Sequence, residues 1–204
     1  MLIENTVFMT DFSLYFQLGL QHICDWKGYD HILFVTVLCG VYQLQDWKKV
    51  LVLVTAFTIG HSVTLALSVF NIIRINTTLI EFLIPVTIVL TALKNIDKRS
   101  IPQKAINSTY FLALFFGLIH GLGFSNYLKS LLGRDTNIIR ELFAFNLGLE
   151  CGQILIVISV LLLAFLLIRS FKIKATDWGF FLSSAIFGIA LMMCIDRFQQ
   201  IIFR

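Results

Sequence analysis

The chain has 204 residues, of which 58% are hydrophobic and 14% charged, and its mean hydropathy is +0.86. A soluble domain carries roughly a quarter of its residues as Asp, Glu, Lys and Arg, so this composition excludes one and makes lipid the solvent for most side chains. The net charge of +4 is spread through short segments with no basic run, which argues against a nucleic-acid partner and leaves membrane lipids as the main surroundings.

In chain order, Met1 to Asp11 has no basic residue ahead of an apolar core. It does not read as a cleaved secretory signal, and the first crossing is expected to act as its own insertion signal. Phe12 to Cys24 repeats apolar residues at Phe12, Tyr15, Phe16, Gly19 and Ile23 against Ser13, Gln17 and Gln21. That stripe predicts an N-terminal amphipathic helix that lies in the interface and caps the outer mouth without crossing. Tyr29 to Tyr42 is apolar but short, and it crosses only if it borrows residues at one end. Leu51 to Ile73, Thr77 to Leu93, Thr109 to Leu128, Ile139 to Ile168 and Trp178 to Cys194 approach or exceed the ~20 residues that span ~30 Å of hydrocarbon. The fold class is therefore all-α: a polytopic transmembrane helix bundle of about six spans plus the amphipathic helix. Only Pro85 and Pro102 interrupt the chain as prolines, and no Gly/Ser-rich stretch marks a linker, so residues 1–204 read as a single integral membrane domain.

Lys48, Lys49, Lys94, Lys98, Arg99, Lys104, Arg169, Lys172 and Lys174 fall on one side of these spans and slightly outnumber Lys27, Arg74, Lys129, Arg134, Arg140, Arg197 and Arg204 on the other. The bias predicts both termini outside the cytoplasm, in the periplasm, and an interior loop at Asp97 to Lys104. Trp26, Trp47 and Trp178 fall near span ends, as interfacial aromatics do. The four cysteines lack a C-x-x-C spacing and read as small buried hydrophobes.

Polar side chains inside spans cost several kcal/mol on insertion scales, so each needs a partner or a purpose. All four histidines lie in or beside apolar segments: His22 near the end of the amphipathic stretch, His31 after Asp30 at the start of the first crossing, His61 near the middle of the second, and His120 in the outward half of the fourth. Glu81 stands a turn into the third crossing, and Asn146, Glu150 and Gln153 mark one face of the fifth. At 1.5 Å per residue these groups reach compatible depths, with Asp30 and His31 near the outer boundary and His61, His120 and Glu150 deeper. Glycines flank them at Gly60, Gly117, Gly121, Gly148 and Gly152, and two of the sets are G-x-x-x-G, the spacing that lets membrane helices approach closely. Neutral imidazole and carboxylate are borderline ligands that suit zinc, nickel or cobalt. The predicted metal ligands are Asp30, His31, His61, His120 and Glu150, with His22, Ser62, Glu81, Asn146 and Gln153 as supporting or outer positions. A proton relay is the other use of such a chain of groups.

Four segments carry a family resemblance: Gly28-Tyr-Asp-His-Ile-Leu-Phe34, Ala56-Phe-Thr-Ile-Gly-His-Ser-Val-Thr-Leu-Ala-Leu67, Phe116-Gly-Leu-Ile-His-Gly-Leu-Gly-Phe124 and Phe145-Asn-Leu-Gly-Leu-Glu-Cys-Gly-Gln153. Together they resemble the HupE/UreJ family of small bacterial membrane proteins, from His22 to about Phe165. The resemblance implies a multi-pass inner-membrane protein tied to hydrogenase and urease accessory functions, with uptake of nickel or cobalt, and it maps the family's histidine and acidic positions onto Asp30, His31, His61, His120 and Glu150. Seven residues separate His22 from Asp30, more than in the nickel-permease branch, and the second-helix motif here, Gly60-His-Ser62, is poorer in histidine. In both respects the chain is similar to the family's second branch.

The leading functional expectation is uptake or handling of a divalent metal through an intramembrane His/carboxylate site, with dispersed ligands that release the ion. The alternative is a metal-dependent intramembrane hydrolase: three protein ligands and a water, Glu150 or Asp30 as general base, and Ser62 with Asn146 as oxyanion donors. It resembles the membrane ceramidase-like hydrolases in composition but lacks their His-x-x-x-His pair. A third reading is a non-catalytic subunit, held to a membrane-protein partner or to further copies of itself.

Overall fold

The computed structural model describes residues 2–97, 106–131 and 137–203. Among them are seven α-helices and no strand: α1 Leu2–Ile23, α2 Asp30–Cys39, α3 Trp47–Val69, α4 Thr77–Asp97, α5 Ile106–Leu131, α6 Ile138–Phe171 and α7 Ala175–Ile202. Helices α3 to α7 are each long and apolar enough to cross a bilayer, in agreement with the five long runs of the sequence. Lys98 to Lys104 of the expected interior loop, and Arg134, lie outside the described residues.

Hydrocarbon offers no partner for backbone or hydroxyl groups, so these helices satisfy their own. Ser62 donates to the carbonyl of Thr58 and Thr91 to that of Thr87, each one turn back. Pro85 inside α4 has no N–H and leaves the carbonyl of Glu81, four residues earlier, without its helical donor.

Two helix pairs are set by glycine. Between α3 and α5, a Cβ on Gly60 would meet the carbonyl oxygen of Leu114, one on Gly117 that of Phe57, and one on Gly121 that of His61. Between α1 and α6, a Cβ on Gly19 would meet the carbonyl of Phe145 and one on Gly148 that of Phe16. Backbones this close exclude any side chain, and both pairs run parallel, as close contacts advance together along the two helices. By contrast α4 and α7 run antiparallel: Glu81 pairs with Arg197 at one end, while Ile88 and Ala92 cluster with Ile186 and Ala190 further on.

The stripe on α1 is as read, with Ser13, Gln17 and Gln21 exposed and Tyr15, Gly19 and Ile23 buried. Its placement differs from an interfacial cap over the mouth. Tyr15 and Ile23 cluster with Leu142, Phe145 and Leu149 in the first half of α6, whereas Val35 and Cys39 of α2 cluster with Val157 and Leu161 in its second half. Thus α1 and α2, about 33 Å and 15 Å long, follow one another along α6, with the chain broken between them at residues 24–29. Glycine contact with α6 draws α1 inward against the bundle.

Candidate metal centre

The break between α1 and α2 is where the histidines meet. His22 stands in the last turn of α1 and His31 is the second residue of α2. The intervening turn is shaped locally: the side chain of Asp25 accepts from the backbone N–H of Lys27 at 2.9 Å, an Asx turn. His61 comes from the middle of α3. The ring centroids of His22 and His31 are 4.6 Å apart, those of His22 and His61 6.0 Å, and those of His31 and His61 6.1 Å. One ring nitrogen from each lies within 4.8 Å of the other two.

Hydrogen bonds assign the tautomers. Nδ1 of His31 faces a carboxylate oxygen of Asp30 at 3.0 Å, and that of His120 the carbonyl oxygen of Phe116 at 2.9 Å. Both oxygens accept, so in each ring Nδ1 carries the proton and Nε2 holds the lone pair. Nε2 of His22, His31 and His120, and both nitrogens of His61, are buried without a hydrogen-bond partner among the described residues. An unpaired buried polar group costs about 1–3 kcal/mol, and here several are gathered together. Phe34, Phe57, Phe124 and Phe145 pack against these rings and keep their surroundings apolar.

This donor set fits a divalent transition metal. Metal–nitrogen bonds of ~2.0–2.1 Å in a tetrahedron place the nitrogens ~3.4 Å apart, so three atoms within 4.8 Å must draw in by at most about 1.4 Å, within reach of side-chain rotation. A carboxylate on the far nitrogen of a ligating imidazole, as Asp30 is on His31, fixes the ring and raises its basicity.

The other predicted positions are distributed around this group. His120 is fully buried with its ring 5.1 Å from that of His31, beside the close trio. Asp30 joins the trio through its hydrogen bonds to His31. The expected wide separation of His31 from His61 is absent, because α2 begins inside the bundle and brings the two rings to 6.1 Å. Glu150 accepts from Thr55 Oγ1 at 2.9 Å. Thr55 is six residues before His61, about 9 Å along α3 and about 120° around it, so this carboxylate is turned away from the trio. Gln153 accepts from Thr58 Oγ1 at 2.6 Å, Ser62 donates to the Thr58 carbonyl, and Asn146 donates to the Leu142 carbonyl.

A vestibule of about 870 Å³ opens onto the site, with Asp30 and His31 in its lining alongside His22, His120, Glu81 and Arg197. Arg197 Nη1 donates to Glu81 at 3.0 Å, an ion pair between α7 and α4. Arg197, Thr55 and Thr58 were not singled out in the sequence. Arg197 carried a signal, being a cation near the end of an apolar run; the threonines carried none, since such residues are common in membrane helices.

The family model described as HupE / UreJ protein matches residues 1–198. The chain belongs to the HupE/UreJ family. No curated protein and no solved structure matches it. For this HupE/UreJ protein the four resembling segments can now be placed. The first opens α2 with Asp30 and His31, the second centres on His61, the third carries His120 with Gly117 and Gly121, and the fourth packs Gly148 against α1.

Proposed function

We propose that this HupE/UreJ protein takes a divalent transition metal ion from the vestibule onto His22, His31 and His61 and handles it for passage across the inner membrane, with nickel or cobalt as cargo and both termini in the periplasm. The observation that carries the reading is the set of buried imidazole nitrogens with no partner, drawn from three helices to within 4.8 Å. The break between α1 and α2 beside the site supports it, since transporters commonly build substrate sites at the ends of discontinuous helices. In this scheme Asp30 holds His31 in its ligating tautomer, the phenylalanines exclude water and competing donors, and the acidic groups Asp25 and Asp30 draw cations into the vestibule, Glu81 being neutralised by Arg197. The metal itself supplies only its charge and ligand preference.

Hydrolysis is less well supported, because Asp30 is engaged by His31 and Glu150 by Thr55, leaving neither proposed base poised on the trio. The deciding experiment is metal analysis of the purified protein together with uptake of nickel and cobalt into vesicles. We expect weak, exchangeable occupancy and uptake, both lost in His61→Ala. Tight stoichiometric metal with no uptake would overturn the transport reading, and absence of metal binding under all conditions would overturn the site. Labelling of a cysteine placed at Ser100 from the periplasmic side of intact cells would overturn the orientation.

A further inference from the structure

We propose that the groove between the end of α6 and the linker from α2 to α3 binds one anionic phospholipid, its acyl chain along α6 and its phosphate on Arg169. The groove encloses about 420 Å³ and is distinct from the histidine vestibule. Leu161, Ala164, Phe165 and Ile168 form its apolar part, and Gln43, Gln45 and Arg169 its polar part. This volume has room for roughly fourteen groups of water size, a stretch of one acyl chain and not a whole lipid.

The level in the membrane selects an amphiphile. Helix α6 has 34 residues, about 51 Å, and outruns ~30 Å of hydrocarbon. Arg169 in its last turn and exposed Trp47, directly after the turn Leu44–Asp46, mark the interface at this end, beside the groove. The apolar lining thus faces the tail region and the two amides and the guanidinium face the headgroups.

The charge selects an anion. Arg169 is exposed, stands 5.9 Å from the ring of Phe165, and has no carboxylate partner among the described residues. Lys172 and Lys174 follow it in the turn into α7, while Asp46, the acid nearest in sequence to the two glutamines, is taken by Lys49 at 2.7 Å. A planar guanidinium next to amide donors matches the phosphate oxygens of a headgroup, and a basic membrane face favours anionic over zwitterionic lipid.

The test is native mass spectrometry of the full-length protein in detergent, with dioleoyl phosphatidylglycerol or dioleoyl phosphatidylcholine added. We expect one phosphatidylglycerol retained at concentrations at least about tenfold below those needed for phosphatidylcholine. Arg169→Gln should abolish that difference, and Arg74→Gln, at the opposite end of the bundle, should keep it. Ile168→Trp, which fills the apolar part and leaves the charge, should lower retention of both lipids. Equal retention of the two lipids by the unsubstituted protein, or a preference surviving both Arg169→Gln and Ile168→Trp, would overturn the proposal. None of these outcomes depends on metal.

Discussion

The carboxylate of Asp30 holds His31 at two points, accepting from its backbone N–H at 2.8 Å and facing its Nδ1 at 3.0 Å. One side chain therefore sits at the start of α2, where a negative charge is favourable, and also fixes which nitrogen of His31 faces the site. Asp30→Ala should lower nickel affinity about 10- to 100-fold with helix content unchanged. Asp30→Asn keeps an acceptor and should fall between. Competition against a chromophoric chelator measures both, and wild-type affinity in Asp30→Ala would remove Asp30 from the site.

The trio and His120 should separate on substitution. His22→Ala, His31→Ala and His61→Ala each remove a nitrogen from the group that closes within 4.8 Å, whereas His120 lies beside it and is tied to Phe116. The first three should weaken metal binding at least about tenfold more than His120→Ala, a gap of ~1.4 kcal/mol or greater. Equal losses at all four would make His120 a full ligand.

Glu150→Gln preserves an acceptor for Thr55. Metal affinity in this variant should stay within about twofold of wild type, below ~0.4 kcal/mol. A tenfold loss would mean that the carboxylate turns toward the histidines when metal binds.

Glycine at the helix contacts sets the spacing of the ligands. Gly117→Leu, which sets a side chain against the backbone of Phe57 and His61, should cost at least about 1–3 kcal/mol and weaken metal binding as α3 and α5 separate. Gly188→Leu, where nothing lies within 4 Å of the added carbon, is the matched control and should melt within a few degrees of wild type. The comparison is made by thermal unfolding in detergent, and equal melting of the two variants would contradict the packing.

Arg197 neutralises Glu81 on the vestibule wall. Arg197→Gln should leave that carboxylate free for cations and raise apparent metal affinity by about two- to fivefold at low ionic strength, with the gain fading as salt screens it. Uptake assayed at two salt concentrations checks this, and a gain independent of salt would point to a conformational cause.

Much of this protein is determined by local sequence. Composition alone placed it in lipid, and five runs of apolar residues became α3 to α7, because a chain in hydrocarbon has little choice but to close its hydrogen bonds within each helix. The rarity of polar groups in the apolar segments also pointed to His31, His61 and His120, since each polar group in lipid needs a reason to be there. What the chain order could not reveal is which of them face one another. His22 belongs to the close trio only because Gly19 and Gly148 let α1 lie against α6, and because the chain breaks at residues 24–29 so that α2 starts inside the bundle. Depth counted along one helix assumes an unbroken crossing, which is why His31 was expected above His61 and not beside it. Counting along the helices sets Glu150 level with the histidines, but its carboxylate meets Thr55, about 9 Å along α3 from His61, a relation between residues 95 positions apart that no local pattern records.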